Sequence, residues 1–245
     1  MAPQSIEAVA PGGPPRFHAE LLAGLDDPVR RYFAHAMPEG APLLDGVRVA
    51  LRGQIRLGAW LPFTSEQETF PTAFSWHARV TAGPLTLFRA TDRLADGAGS
   101  VDARLFGRLP VMHADDAHTA RSAAARAALE AAVFAPPALL GLPGLEWQAR
   151  ADDEIVARWD VAPERPEVHV RLGLDGAIRE VWGPRWGRRG SGGHRYLPFG
   201  GQLGGERRFG PYLLPGFLSV GWGWGTERYA PFFRAEVLDV AARAA

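Results

Sequence analysis

Three residue types are missing from this sequence of 245 residues: cysteine, lysine and asparagine. Without cysteine the chain has no disulfides, no thiolate nucleophiles and no Cys-ligated metals. All 27 basic residues are arginine, a usage typical of a GC-rich bacterial genome. The net charge is zero, with both signs interspersed, and this balance argues against nucleic acid or an anionic membrane surface as a partner.

Long apolar runs are missing as well. No run approaches the length of a membrane span, and the N-terminal residues lack the charged start and apolar centre of a signal peptide. We therefore expect a soluble cytoplasmic protein without an integral membrane segment. Residues 1–16 are rich in Pro, Gly and Ala without periodicity, which predicts a disordered tail. No linker divides the rest, so residues 17–245 are expected to form a single β-rich domain.

One long helix is predicted over residues 115–135. An Asp at either of its first two positions can cap it, Ala fills its interior, and two Pro residues stop it directly afterwards. Bulky apolar residues occur only near its end, at Leu129, Val133 and Phe134, so we expect this end to pack on the concave side of a sheet. A shorter amphipathic helix is predicted to begin at Asp27-Pro28.

Alternating apolar and polar residues occupy most of the remaining chain. They begin at Val47 and predict five strands before the long helix and about seven after it. A Gly and Arg rich stretch, residues 185–196, is predicted to be a flexible loop. Short connections make neighbouring strands antiparallel, and a sheet this long must curl because twist accumulates.

The predicted fold is therefore mainly β (α+β). It consists of a large curved antiparallel sheet, a half-barrel of about 10–12 strands, covered by the long central helix and the short N-terminal helix. A closed, calycin-like β-barrel is the alternative, because a curling sheet of this length can also close on itself.

Aromatic residues are abundant on the predicted strands, among them Trp76, Trp159, Trp182, Trp222 and Trp224. Two interpretations stay open. The rings can form the sheet core, because aromatic residues are favoured in strands, or they can line a cavity for an apolar ligand between sheet and helix. In the second interpretation the ligand-binding residues are these five Trp residues and the three bulky residues of the long helix.

A second group of candidates is polar: His77, Asp102 and His113, with Glu66 and Arg104 on neighbouring strands. Either these residues are paired charges on a solvated outer face, or a His is a general base oriented by a carboxylate. The His residues lack metal-ligand spacing, and no Gly-rich turn with a Lys opens a helix. We therefore expect no metal, no nucleotide and no other cofactor.

Three motifs resemble those of an uncharacterised bacterial family, DUF6544/DUF6920-like: Asp27-Pro28-Val29-Arg30-Arg31-Tyr32, Trp60-Leu61-Pro62-Phe63, and Gly99 with Ala103–Val111. This resemblance implies no function. By topology alone the layout also resembles the lipoprotein-carrier (LolA/LolB-like) fold. That resemblance implies a curved antiparallel half-barrel closed by helices around an apolar cavity.

The function we expect is binding of a hydrophobic small molecule or lipid tail in such a cavity, without a cofactor. One alternative is an isomerase, cyclase or hydrolase that acts on a hydrophobic metabolite in the same cavity, with His77 or His113 and Asp102 as acid and base. Another is an interaction domain without a cavity. The oligomeric state is left open.

Overall fold

Strands form where the alternating pattern begins and continue without interruption as far as the long helix. The computed structural model of the protein describes residues 13–188 and 190–243. Consecutive strands are joined by short turns and pair antiparallel. The strands of this first half are β1 (Gly46–Leu57), β2 (Ala59–Thr69), β3 (Phe74–Ala82), β4 (Leu85–Ala95), β5 (Ala98–Leu105) and β6 (Leu109–Ala114).

The helices begin and end where the sequence signals predict. In α2 (Ala117–Phe134), Asp116 is the N-cap and its carboxylate accepts a hydrogen bond from the Thr119 N–H at 2.8 Å. Pro136 ends this helix and opens the short α3 (Pro136–Leu139). The N-terminal helix α1 (Asp27–Ala36) has a Pro in its first turn and follows a 3-10 turn at residues 19–22.

A second meander follows α2 and α3. Its strands are β7 (Glu146–Ala151), β8 (Glu154–Arg158), β9 (Glu167–Leu172), β10 (Ile178–Gly187), β11 (Arg195–Gly204), β12 (Arg207–Phe209), β13 (Tyr212–Leu214), β14 (Phe217–Trp222) and β15 (Ala230–Arg243). The short β12 and β13 form a separate hairpin, and the other strands join the first meander where β15 pairs with β1.

The resulting sheet has thirteen strands in the order β6-β5-β4-β3-β2-β1-β15-β14-β11-β10-β9-β8-β7. The prediction of a mainly β fold with one large antiparallel sheet and a long helix is confirmed. Strands β6 and β7 are the two ends of this order and do not pair with each other. The sheet is therefore open, and the alternative of a closed barrel is wrong.

The position of α2 shows that the sheet is strongly curved. This one helix contacts β4 and β5 near one end of the sheet and β9 and β10 near the other. Strands β5 and β10 are eight steps apart in the strand order, a span of roughly 38 Å if the sheet were flat. A helix is only about 10–12 Å across. The sheet must therefore bend around α2, with the helix on its concave side.

Close approach of α2 to the sheet depends on small residues at one end and bulky residues at the other. At the small end, a Cβ added to Gly99 on β5 would lie 2.6 Å from Cα of Ala120, so helix and strand meet backbone to backbone. At the other end Leu129, Val133 and Phe134 are buried in the core, as predicted.

Two local predictions differ from the structure. Strand β6 was not expected, because Pro110 interrupts a short segment in which apolar residues are consecutive. The strand forms at the edge of the sheet, where a Pro without an N–H is tolerated. The predicted loop at residues 185–196 is shorter than expected, because β10 continues to Gly187 and β11 begins at Arg195.

The predicted tail lies mostly outside the described residues. Residues 13–16 belong to the described part, and there Arg16 forms an isolated bridge with Pro42 and donates to the Gly40 carbonyl oxygen at 2.7 Å. Among the described residues, no helix combines the length and the apolar character needed to cross a membrane. The cytoplasmic location stays a prediction.

Candidate functional site

A cavity of about 220 Å³ lies between the second half of α2 and the middle of the curved sheet. Strands from both meanders form one wall of the cavity, and α2 forms the opposite wall. The wall residues are Ile55, Trp76, Asp92, Arg126, Leu129, Glu130, Val133, Phe134, Val181, Arg185, Phe199, Gly200, Leu203, Leu218, Val220, Phe232 and Phe233. Most of them are aliphatic or aromatic, and only four carry a charge.

Four of the predicted ligand-binding residues line this cavity. Leu129, Val133 and Phe134 come from α2, and Trp76 comes from the opposite strand β3. The Trp76 ring belongs to an aromatic group with Phe63 and Phe233, whose ring centroids are each 6.5 Å away. The prediction of a cavity between helix and sheet therefore agrees with the structure, although ligand binding itself stays a prediction.

The other four predicted residues lie elsewhere. Trp159 is part of the solid core and donates from its indole N–H to the Pro71 carbonyl oxygen at 2.9 Å. Trp182 faces the outer side of the sheet and stacks on His169, with ring centroids 5.1 Å apart. Both were expected to line the cavity, and neither does. The alternation of β10 explains the second case, because the neighbouring Val181 points inward.

Trp222 and Trp224 belong to a Gly-Trp-Gly-Trp-Gly stretch, residues 221–225, in which the glycines allow close backbone approach and a turn. A Cβ on Gly221 would lie 2.2 Å from a backbone oxygen of the paired strand, and Gly223 has a positive φ in the turn after β14. Trp224 packs in this turn, whereas Trp222 contacts the cavity residue Phe199, with ring centroids 5.0 Å apart. Trp222 therefore stands behind the cavity wall.

Polar groups gather at one end of the cavity around Arg126. Its guanidinium donates to Asp92 at 2.5 Å and to Glu130 at 2.8 Å. Gln67 donates to Glu130 at 2.6 Å and to Thr69 at 2.7 Å, which closes the network. Burial by itself lowers the pKa of Arg126, but the charges of Glu130 and Asp92 more than offset this effect and leave the pKa above its usual value.

Arg185 enters the same cavity from β10, and it forms no ion pair with a carboxylate of residues 13–188 or 190–243. Its Nε donates to the carbonyl oxygen and the hydroxyl of Ser122, each at 3.2 Å. The guanidinium carbon lies 4.6 Å from the ring centroid of Phe199 and 5.3 Å from that of Trp222. Burial, together with the nearby positive charge of Arg126, lowers the pKa of Arg185 to about 10. The side chain is therefore cationic at neutral pH.

Within the described part of the chain, two buried polar atoms of the wall residues have no hydrogen-bond partner. They are the indole Nε1 of Trp76 and Oδ1 of Asp92, and these two residues are directly paired across β3 and β4. One atom can donate and the other can accept. Buried polar groups are normally satisfied, so this donor and this acceptor are available to a water molecule or a bound ligand.

The candidate catalytic residues come together, but on the opposite face of the sheet. The strand register places Glu66, His77, Thr91, Asp102 and His113 in one row across β2 to β6. This row lies outside, since His77 is exposed and its neighbour along β3 lines the cavity. None of the three candidates reaches the cavity, so the enzymatic alternative loses its proposed acid and base there.

Within this row the contact that matters most is between His113 and Asp102. Nδ1 of His113 lies 3.0 Å from the Asp102 carboxylate, and Nε2 lies 3.4 Å from Asp115. The hydrogen bond that the His113 ring donates to Asp102, the charge of Asp102 and the charge of Asp115 raise the pKa of His113. Both partners are well exposed, which is typical of a surface ion pair.

Side chains that could hold a metal ion meet in two places among the described residues: at His18, Glu20 and Glu39, and at His35, Asp175 and Glu206. In the second group, Nδ1 of His35 lies 2.8 Å from the Asp175 backbone oxygen and Nε2 lies 2.5 Å from Glu206. These contacts connect α1 to the turns that follow β9 and β11. The absence of a metal stays a prediction.

The charged residues of the cavity were missed by the sequence interpretation. Arg126 and Glu130 are one helical turn apart on α2, a spacing that usually marks an exposed ion pair. The sequence nevertheless contained an indication that Arg126 and Glu130 are special, because these two charged residues interrupt an otherwise alanine-rich and buried helix. Arg185 was assigned to a loop because Gly and Arg surround it. Only strand pairing with β11 shows that it belongs to the cavity wall.

Comparison with known proteins assigns the chain to a family. The family of unknown function DUF6544 matches residues 15–235. This protein is a member of that family. Its three sequence motifs had indicated the same family. Among the curated proteins, none matches the chain.

Three solved structures resemble the DUF6544 chain over most of its length. A LolA superfamily protein from Nitrosomonas europaea shares 10% identity at a TM-score of 0.44, covering 89% of this chain and 93% of that one. A domain from Vibrio parahaemolyticus, described as an outer membrane lipoprotein-sorting protein domain, shares 9% identity at a TM-score of 0.45. This match covers 92% of this chain and 94% of that one. A DUF1329 family protein from Desulfovibrio piger shares 8% identity at a TM-score of 0.39, and the match covers 81% of this chain and 86% of that one.

These likenesses agree with the resemblance to the lipoprotein-carrier fold that the element order had indicated. Their TM-scores and identities are too low to carry an argument about ligand or function. The functional conclusion therefore depends on the cavity itself.

Proposed function

We propose that this DUF6544 protein binds a small hydrophobic molecule, or the end of a lipid tail, between α2 and the concave side of its sheet. The observation that supports the proposal is the cavity of about 220 Å³ with mainly aliphatic and aromatic walls. Protein interiors contain few voids larger than a water molecule. A ligand that fills this cavity would remove its apolar walls from water and supply the contacts that close packing provides elsewhere in the core.

The size of the cavity limits what can fit inside. An apolar cavity of about 150 Å³ holds one benzene molecule. By proportion the cavity described above holds roughly nine or ten non-hydrogen atoms, which corresponds to an eight-carbon chain with a small headgroup. Ile55, Val220, Phe232 and Phe233 are only partly buried wall residues. A longer tail would leave the cavity past them.

Titration with 1-octanol tests the proposal with a neutral ligand. We expect a saturable change of tryptophan fluorescence, because Trp76 lines the cavity, with a Kd between roughly 10 µM and 1 mM for a ligand of this size. Isothermal titration calorimetry provides the stoichiometry, which should be one. Absence of saturable binding by both methods would refute the proposal.

A matched pair of variants locates the binding. Val133→Phe places extra atoms into the cavity, so we expect it to fold and to lose 1-octanol binding at least tenfold. Val111→Phe makes the same change on the edge strand β6, where Val111 is 54% exposed, and should bind like the wild type. Equal binding by Val133→Phe and the wild type would show that the ligand site is elsewhere.

A further inference from the structure

The two arginines of the cavity wall differ in what they bind. Arg126 has two carboxylate partners, Asp92 and Glu130, which account for its charge. Arg185 uses only Nε, toward Ser122, and among the described residues its two terminal nitrogens have no hydrogen-bond partner. Its other neighbours are the rings of Phe199 and Trp222. Among the described residues, the cavity wall therefore contains one cation without a direct carboxylate partner, since the charges of Asp92 and Glu130 act on it only from beyond hydrogen-bond distance.

A guanidinium in such a position, with no direct partner for its terminal nitrogens, is unfavourable unless water or a ligand pairs with it. Aromatic faces attract a guanidinium only weakly compared with a carboxylate. A hydrocarbon ligand alone would raise the free-energy cost of burying the Arg185 guanidinium, because it would displace any water that solvates this charge. A ligand that is both apolar and anionic resolves both problems, since its chain fills the cavity and its charge meets the guanidinium.

We propose that the ligand is a carboxylate with an apolar chain, whose carboxylate binds the two terminal nitrogens of Arg185 while the chain lies between α2 and the sheet. This inference rests on the proposed function and names its ligand class. The two free nitrogens form a planar fork that matches the two oxygens of a carboxylate.

Carboxylate fits this position better than phosphate does. A phosphate carries up to two charges and three acceptor oxygens, which call for more than one cationic partner. Only Arg185 is available, because Arg126 is already occupied by its two carboxylates. A cationic headgroup would be repelled by Arg185. The cavity volume favours a chain of about eight carbons inside the protein.

The experiment compares four ligands with the same eight-carbon chain: octanoate, 1-octanol, octylamine and octyl phosphate, each titrated at pH 7.5 by calorimetry. We expect octanoate to bind at least tenfold more tightly than 1-octanol, because hydrogen bonds to a charged partner stabilise a complex by about one to two factors of ten. Octylamine should bind most weakly. Octyl phosphate should bind no more tightly than octanoate.

Three variants assign the preference to Arg185. Arg185→Met should bind octanoate and 1-octanol equally, whereas Arg185→Lys, which keeps the charge but loses the fork, should retain part of the preference. Arg104→Met removes the same charge from an exposed position of β5 and should behave like the wild type. Circular dichroism and thermal unfolding of each variant check that it is folded.

The outcomes separate this inference from the proposed function. If 1-octanol binds in the cavity and octanoate binds no more tightly, the proposed function stands and the carboxylate assignment is wrong. If octyl phosphate binds more tightly than octanoate, the assignment is also wrong. If no ligand binds saturably, both fail. Should Arg185→Met not fold, the ratio of octanoate to 1-octanol affinity in the wild type still decides the question.

Discussion

The concave and outer faces of the sheet carry similar ion-pair networks in opposite surroundings. On the concave face, Arg126 is 14% exposed and binds Asp92 and Glu130. On the outer face, Arg171 pairs with three carboxylates, yet its side chain is 39% exposed. Water screens the second network and not the first. We therefore expect that burial, and not the number of ion pairs, determines how much stability is lost when the arginine of a network is removed.

Removing the central arginine of each network should give the largest difference in stability between a change on the concave face and a change on the outer face. Arg126→Met leaves Asp92 without its ion-pair partner and Glu130 with only the amide of Gln67, so we expect a loss of about 3–5 kcal/mol in the free energy of unfolding. Arg171→Met should cost no more than about 1 kcal/mol. Urea denaturation of both variants and the wild type measures the difference. Similar losses in the two variants would contradict the comparison.

Replacing a glycine by alanine on each face of the sheet tests how closely that face is packed. Gly99→Ala places a Cβ 2.6 Å from Cα of Ala120 and forces β5 and α2 apart, which should cost about 1–3 kcal/mol. Gly204→Ala, on β11, has open space around the added atom and should change stability by about 0.5 kcal/mol or less. Thermal unfolding followed by circular dichroism checks both. A neutral Gly99→Ala would mean that the helix can move away from the sheet.

Arginines that pair with no carboxylate in the described part of the chain should give a smaller effect of opposite sign. Without ligand, Arg185→Met should leave stability unchanged or raise it by up to about 2 kcal/mol, because a buried charge without a direct partner leaves the cavity wall. Arg104→Met on the outer face should stay within about 0.5 kcal/mol of the wild type. A clear loss of stability in Arg185→Met would show that its bonds to Ser122 outweigh the cost of its burial.

The smallest effect is expected from the polar row on the outer face of the sheet, where protonation of His113 makes stability depend on pH. Its pKa is raised by Asp102, so its protonated form is favoured in the folded protein. This contribution to stability is complete below the unfolded pKa of about 6.5 and disappears as the pH rises through the higher folded pKa. Nuclear magnetic resonance titration should find the His113 pKa above 6.5, and Asp102→Asn should lower it. An unchanged value in Asp102→Asn would contradict the assigned cause.

Predictions from the sequence succeeded where a local pattern had only one structural outcome. The cap at Asp116 and the Pro after α2 delimited the helix, and period-two alternation identified most strands. Predictions failed where context decides between outcomes. Trp159 and Trp182 occur in the same kind of segment as Trp76, but one is in the solid core and one is outside. A strand pattern separates two faces without saying which of them meets the helix.

By itself the sequence determined the class of fold and the helix that crosses it, because capping, chain termination and alternation depend on neighbouring residues only. The tertiary structure decided the site. Asp92, Arg126 and Arg185 are 34 or more residues apart along the chain and meet only because the sheet curves around α2. Whether each charge finds a partner there depends on register and curvature, which arise from the packing of the whole sheet.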